Sequence, residues 1–264
     1  MQNIKDVKTF LLDMDGTIYL GNHMIDGALE FLKLLEAQGK SYVFLTNNSS
    51  KNREAYQAKL SGLGLEVDQN RIFTSGEATA IYLKNQKKNA KLFVLGTHYL
   101  EEELISHGFE LIRDRSEIPD FVVLGFDTTL TYEKLWIACD HVREGVPYLA
   151  THPDFNCPLD GGKYMPDTGA MIKFIEASTG KLPEVIGKPS HHIVESILDK
   201  YQLDKDEVAM VGDRLYTDIQ LGVNAGITSV LVYSGETTIS DYESSEVKSD
   251  YQFSSVKAIS EAIR

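Results

Sequence analysis

Four short segments, scattered over the chain, carry residue types that together can build a phosphoryl-transfer site. They are Asp13-Met14-Asp15-Gly16-Thr17, Leu45-Thr46-Asn47-Asn48, Lys188, and Gly212-Asp213 with Asp218. In an extended segment residues i and i+2 face one side, so Asp13 and Asp15 can address one ligand while Met14 turns away. Gly16 then permits a sharp turn. Two carboxylates this close do not both ionise readily without a cation or a shared proton. The arrangement suits one nucleophile and one proton carrier beside a metal. Asp13 would attack phosphorus and form an aspartyl-phosphate. Asp15 would protonate the leaving oxygen and then activate water. Alone, the segment also reads as a solvated acidic turn.

The other segments each carry a plain reading beside the chemical one. The Thr46 hydroxyl and the amides of Asn47 and Asn48 can hold phosphoryl oxygens in a backbone nest, or Asn47, Asn48 and Ser49 can simply cap the next helix. Lys188, fixed between Gly187 and Pro189, can neutralise phosphate and crowded carboxylates, or lie on the surface. Asp213 completes a hard oxygen site with Asp13 that suits Mg2+. Asp218 can orient metal-bound waters or Lys188 from behind, or act as an ordinary first-turn acid. His191 and His192 are neighbours on a predicted helix, about 100° apart, and read as surface and packing rather than as ligands of one ion.

These residues need elements that end where they stand. Apolar strand-like runs alternate with amphipathic helical patterns, which reads as α/β. Strands are expected at 8–13, 41–45, 72–74, 92–95, 121–124, 148–150, 208–211 and 229–232. Helices are expected at 28–38, 53–60, 77–84, 99–106, 132–142, 169–177, 191–200, 217–224 and 255–263. The stretch from Thr151 to Asp167, rich in Pro, Gly and Asp, reads as irregular, and such a long connector often marks a functional loop. Asp13, Thr46 and Asp213 each follow a strand, and open parallel sheets bind ligands at the carboxyl ends of their strands. All four segments lie outside roughly residues 80–183. The expected organisation is therefore a core at 1–79 and 184–264, with a second α/β module inserted at 80–183.

The 264 residues carry 26 Lys and Arg against 39 Asp and Glu, a formal net charge of −13. No basic cluster resembles a nucleic-acid footprint, and the acidic balance argues against anionic membrane surfaces. No apolar segment reaches spanning length. Asp6, Lys8 and Asp13 interrupt any signal-peptide core near the N-terminus. Only two cysteines occur, Cys139 and Cys157, which is no disulfide framework. Both read as reduced packing residues, and a cytoplasmic location follows. No Cys/His cluster supports zinc, and no P-loop motif is present.

In order and type the four segments resemble the haloacid dehalogenase superfamily, over essentially the whole chain. Thr151-His152-Pro153-Asp154 and Pro166-Asp167-Thr168-Gly169-Ala170 resemble its NagD branch of sugar-phosphate, nucleotide and 4-nitrophenylphosphate phosphatases. The resemblance implies a Rossmann-like, mostly parallel sheet with a C2-type α/β cap. It also implies Asp13 as nucleophile, Asp15 as acid and base, and Mg2+ held by Asp13, the Asp15 carbonyl and Asp213. Thr46, Asn47 and Lys188 would hold the phosphoryl group. The loop from Phe155 to Asp160 would meet the leaving group, with Asn156 and Asp160 as candidate specificity residues. The expected function is a Mg2+-dependent phosphomonoester hydrolase acting on small phosphorylated metabolites: sugar phosphates, nucleoside monophosphates and 4-nitrophenylphosphate. Alternatives are a phosphotransferase or mutase using the same nucleophile, and a non-catalytic phosphate sensor. Expected partners are a small phosphate ester and a second copy through the cap, with neither nucleic acid nor membrane.

Overall fold

The computed structural model describes residues 3–159 and 162–264. Its contacts divide the chain into two compact units. One comprises Met1–Thr46, Arg53–Phe73 and Lys188–Arg264. The other comprises Asn47–Asn52 and Thr74–Gly187. The boundary expected at 79/80 falls within the helix Ser75–Gln86, and the contacts group all of that helix with the inserted unit. Thr74 starts the helix, its Oγ1 accepting from the Glu77 N–H at 3.0 Å, a side-chain cap of the usual kind.

The first unit is built on a six-stranded sheet in the order Tyr251–Phe253, Thr228–Val232, Val208–Gly212, Thr9–Leu12, Ser41–Thr46, Ile72–Thr74. Thr9–Leu12 pairs in parallel with Val208–Gly212 on one side, Thr9 opposite Val208, and with Ser41–Thr46 on the other, Thr9 opposite Ser41. Starting from Thr9–Leu12 the chain winds outward to one edge, returns to the centre, and winds to the other. This is the doubly wound order whose switch point lies between the first and fourth strands. The four residues of Thr9–Leu12 are all buried, as a strand covered on both faces requires. Phe10 and Phe31 meet edge to face with centroids 5.9 Å apart, in a core shared with Leu12, Phe44, Val211 and Val230.

The inserted unit carries a five-stranded sheet in the order Glu184–Val185, Tyr148–Ala150, Phe121–Leu124, Lys91–Leu95, Glu110–Ile112. Every neighbouring pair in it is parallel. It is again doubly wound, in the shorter order with its switch point between Lys91–Leu95 and Phe121–Leu124. Its own core holds Phe93, Leu95, Val122, Leu124, Ile137 and Ile175. Chain segment 47–52 packs along the carboxyl edge of this sheet. Ser49 Oγ accepts from the Phe126 N–H at 3.0 Å and lies 2.9 Å from Thr151 Oγ1, and the Thr97 hydroxyl donates to Ser50 O at 3.1 Å.

Several elements differ from the expectation. The stretch expected to be irregular holds an antiparallel hairpin, Asn156–Leu159 with Lys163–Pro166, in which Asn156 opposes Pro166 and Leu159 opposes Lys163. Its residues are exposed or half-exposed, so no buried face imposes an apolar alternation, and its two prolines disguise it further. The helix expected from Thr217 is a wide π turn, Leu215–Ile219, followed by the helix Gln220–Ala225. Among the described residues, the short strands Glu110–Ile112, Glu184–Val185 and Tyr251–Phe253 and the helix Ile239–Ser244 were also not expected. Cys139 is buried in the second core, but Cys157 is half-exposed on the hairpin. His191 and His192 lie on helix His191–Tyr201 as expected, although their rings approach to 4.2 Å, both near Glu195. Among the described residues no helix is long and apolar enough to cross a membrane.

Candidate active site

The switch point of the first sheet is where the acids gather. Asp13 follows Thr9–Leu12, and its N–H donates to Val211 O at 2.9 Å. Asp213 follows Val208–Gly212, the neighbouring strand. Met14 between the two N-terminal acids is buried in the core, while Asp15 is exposed, as alternation along the extended segment predicts. Gly16 closes the turn at φ +88°. A Cβ there would lie 2.4 Å from Asp213 Oδ2, and one at Gly235 would lie 2.0 Å from it. These two glycines therefore let the backbone close around the Asp213 carboxylate.

Lys188 joins the acids. Its Nζ donates to Asp13 Oδ1 at 2.5 Å and to Asp218 Oδ1 at 2.7 Å, with Leu45 O at 3.4 Å. It is 3% exposed, so the surface reading of this lysine fails. Burial alone would lower its pKa, but the charges of Asp13 and Asp218 together hold it above the ordinary lysine value. Asp218 is fully buried and fixed at both oxygens, the second accepting from the Arg214 N–H at 3.1 Å. The π turn brings it back beneath the strand end, with the N–H groups of Asp218 and Ile219 both donating to Arg214 O. Asp218 therefore orients Lys188.

At Asp13 and Asp213 burial outweighs the nearby positive charge. Burial pushes the Asp13 carboxyl up to about 7, with the Asp218 charge adding to it and Lys188 pulling the other way. Burial likewise pushes Asp213 up to about 8, helped by the charges of Asp13 and Asp218. Asp213 Oδ2 accepts from the Glu236 N–H at 2.6 Å, but its Oδ1 is buried and makes no hydrogen bond. A buried carboxylate oxygen without a donor is costly. Ligand oxygens of Asp13, Asp213 and Asp218 lie within 4.8 Å of one another. Hard oxygen donors around an unbonded buried oxygen fit a divalent cation of the Mg2+ or Ca2+ type. The expected ligands Asp13 and Asp213 are thus brought together, with the Asp15 carbonyl two residues along the chain from Asp13.

Thr46 ends the strand Ser41–Thr46 and is buried. Asn47, the next residue, belongs to the inserted unit. Its Nδ2 donates to both oxygens of Asp154, at 3.1 and 3.3 Å, and its carbonyl accepts a short hydrogen bond from Ser75 Oγ. Asn48 uses its Oδ1 locally, accepting from Ser50 N–H at 2.9 Å and Ser50 Oγ at 2.7 Å, which is the turn-forming role open to these residues. Asn156 lies exposed on the hairpin, and Asp160 falls outside the described residues. Three contributors were not anticipated from the sequence. Ser234 donates to Gly16 O at 2.7 Å, Glu236 supplies its N–H to Asp213, and Arg214 pairs with Glu236 at 2.9 Å. Only Arg214 stood beside a motif; the loop holding Ser234 and Glu236 follows a later strand and carries no local signal.

Comparison with known proteins agrees with this geometry. A haloacid dehalogenase-like hydrolase model matches residues 10–110, and a second HAD-hydrolase-like model matches residues 185–259. An acid sugar phosphatase of Staphylococcus haemolyticus is 38% identical over 232 residues, covering 88% of this chain and 87% of that protein. The crystal structure of a 4-nitrophenylphosphatase from Thermotoga maritima superposes with a TM-score of 0.94 at 44% identity, covering 100% of both chains. A glycerol phosphate phosphatase from Mycobacterium tuberculosis, solved in complex with magnesium, gives a TM-score of 0.89 at 28% identity, covering 98% of this chain and 78% of that one. With the acid cluster at the sheet's switch point and an α/β unit inserted between the second and third motifs, this chain belongs to the haloacid dehalogenase-like hydrolases, in their NagD-like branch.

Proposed function

We propose that this HAD-type phosphatase hydrolyses small phosphomonoesters, sugar phosphates and 4-nitrophenylphosphate among them, through an aspartyl-phosphate on Asp13. The observation that carries this reading is the buried Lys188 ammonium bridging Asp13 and Asp218 at the switch point. It pins one oxygen of the nucleophile while its charge faces the place where phosphoryl charge must be met. In the first step Asp13 attacks phosphorus, the ester P–O bond breaks, and the leaving oxygen takes a proton from Asp15. In the second, Asp15 takes a proton from water as that water attacks phosphorus, which releases phosphate and restores the Asp13 carboxylate. The exposed position of Asp15 supports a group that must meet both leaving group and water. Mg2+, held by Asp13, Asp213 and the Asp15 carbonyl, would neutralise the acids and the phosphate dianion. Thr46 and the N–H groups of Asn47 and Asn48 would receive phosphoryl oxygens. A cytoplasmic location belongs to the same reading.

The inserted unit would act as a cap that selects the leaving group, with Asn156 and Asp160 as the proposed contacts. The exposed hairpin, with Phe155, Leu159 and Tyr164 also exposed, supports this role. The same unit offers a face for a second copy. Tyr132, Trp136 and Phe174 are exposed on helices Tyr132–Arg143 and Thr168–Thr179, beside a groove of about 310 Å3.

Asp13→Asn should abolish turnover while the fold survives, because an amide forms no acyl phosphate. Asp15→Asn should still accumulate phosphorylated Asp13 slowly with 4-nitrophenylphosphate, whose leaving group needs little protonation. Phosphate release by the pure variants, with intact mass for the adduct, checks both, and near-normal turnover by Asp13→Asn would refute the nucleophile.

Chelation should remove activity, and it should also change the pH dependence of stability. Asp13 and Asp213 have native pKa values of about 7 and about 8, against about 4 in the unfolded chain. Between those limits the native state binds more protons than the unfolded state, so stability falls as pH rises. The Tm in EDTA should drop from pH 5 to pH 8, and Mg2+ should raise it more at pH 8. A chelated protein equally stable at both pH values would count against this cluster.

Asn156→Ala should reorder sugar phosphates by kcat/KM by about tenfold and leave 4-nitrophenylphosphate hydrolysis largely intact. An unchanged ranking would place specificity elsewhere. Sedimentation should show a dimer that Trp136→Glu dissociates, and a wild-type monomer at micromolar concentration would remove that part of the reading.

A further inference from the structure

The two segments that resemble the NagD branch, Thr151–Asp154 and Pro166–Ala170, take no part in the chemistry described above. In the fold they form one device. Asp167 caps the helix Thr168–Thr179, its Oδ1 accepting from the Thr168 N–H at 2.6 Å, while its own N–H donates to Phe155 O at 2.9 Å. Gly169 N–H donates to Asp154 O at 2.8 Å. A Cβ at position 169 would lie 2.3 Å from Pro153 O, so only glycine lets the two segments come this close. His152 is fully buried between them. Its Nε2 lies 3.1 Å from Thr168 Oγ1, and its Nδ1 faces Asp154 Oδ2 at 3.7 Å. The backbone of Asp154 is thus fixed by a helix N-terminus and its carboxylate is flanked by a buried ring. That carboxylate receives the Asn47 Nδ2 on both oxygens.

From these contacts we propose that Asp154 is a positioning residue: the inserted unit uses it to lock the Asn47 side chain, so that Asn47 meets the phosphoryl group through its backbone N–H. The inference rests on the reading of Asn47 as a phosphate ligand. The side-chain amide nitrogen is engaged by Asp154, and the carbonyl is engaged by Ser75 Oγ. Both flanks of the residue are therefore held by inserted-unit groups, although the strand leading to it belongs to the core. A rigid peptide N–H costs no reorganisation when phosphate arrives. A freely rotating asparagine would have to be ordered at that moment.

The test is a double-mutant cycle between Asp154→Ala and Asn47→Ala in the Mg2+-loaded protein, read by calorimetric binding of inorganic phosphate and by kcat/KM for 4-nitrophenylphosphate. Asp154→Ala should weaken phosphate binding and lower kcat/KM by about ten- to a hundredfold. Asp154→Asn should keep most of both, since its Oδ1 still accepts from Asn47. In the double variant the losses should not multiply, because each change removes the same interaction. If Asp154→Ala does not fold, the cycle is run with Asp154→Leu, which is similar in size and accepts no hydrogen bond. Multiplying losses, or phosphate binding unchanged in a folded Asp154 variant, would overturn the proposal. A wild type that binds phosphate but releases none from any ester would overturn the hydrolase reading alone, and the cycle on phosphate binding would still decide this one.

Discussion

The whole arrangement depends on one buried lysine. Three acids converge at the carboxyl edge of a parallel sheet, out of reach of most water, where like charges repel strongly and none is well solvated. Lys188 offsets two of them at hydrogen-bond distance. Removing one member of such a buried set typically costs about 3–5 kcal/mol, because the others are left uncompensated. Lys188 does not reach Asp213, whose buried Oδ1 makes no hydrogen bond. Hard oxygen donors gathered around that oxygen suit a divalent cation.

The sheet topology explains why chemistry gathers here. Strand Thr9–Leu12 sits at the centre, and the chain leaves it in one direction and returns beside it from the other. The loops that follow the two central strands must diverge, which opens a crevice at the ends of both. Asp13 and Asp213 are the residues immediately beyond those ends. Their separation along the chain is therefore irrelevant to their meeting, since the register of Leu12 against Val211 determines it.

Much of this was legible in the sequence for a physical reason. Buried parallel strands read as apolar runs, and an acid placed directly after such a run has few structural uses. Asp13, Asp213 and the α/β alternation could be read on that basis, and Lys188 from its place between Gly187 and Pro189. What could not be read depended on contacts distant in sequence or on elements without a buried face. The hairpin at 156–166 is exposed on both sides and broken by proline. The support of Asp213 by Glu236 comes from a backbone N–H, which has no residue signature. Asn47 was expected directly after a strand, and it follows Ser41–Thr46. Its anchoring to Asp154 spans 107 positions, and no local pattern predicts it.

The segment 47–52 lies across three strand ends of the inserted sheet, at the place where a doubly wound domain would otherwise receive a ligand. The protein fills that crevice with its own backbone. The inserted unit is consequently discontinuous, and a gene fragment encoding 74–187 alone would lack part of its own interior. Ser49, 2% exposed in the full chain, would leave behind a polar slot lined by Phe126 N–H and the Thr151 hydroxyl. Recombination between members of the family would need to carry both pieces together, so the shortest transplantable module is two segments long.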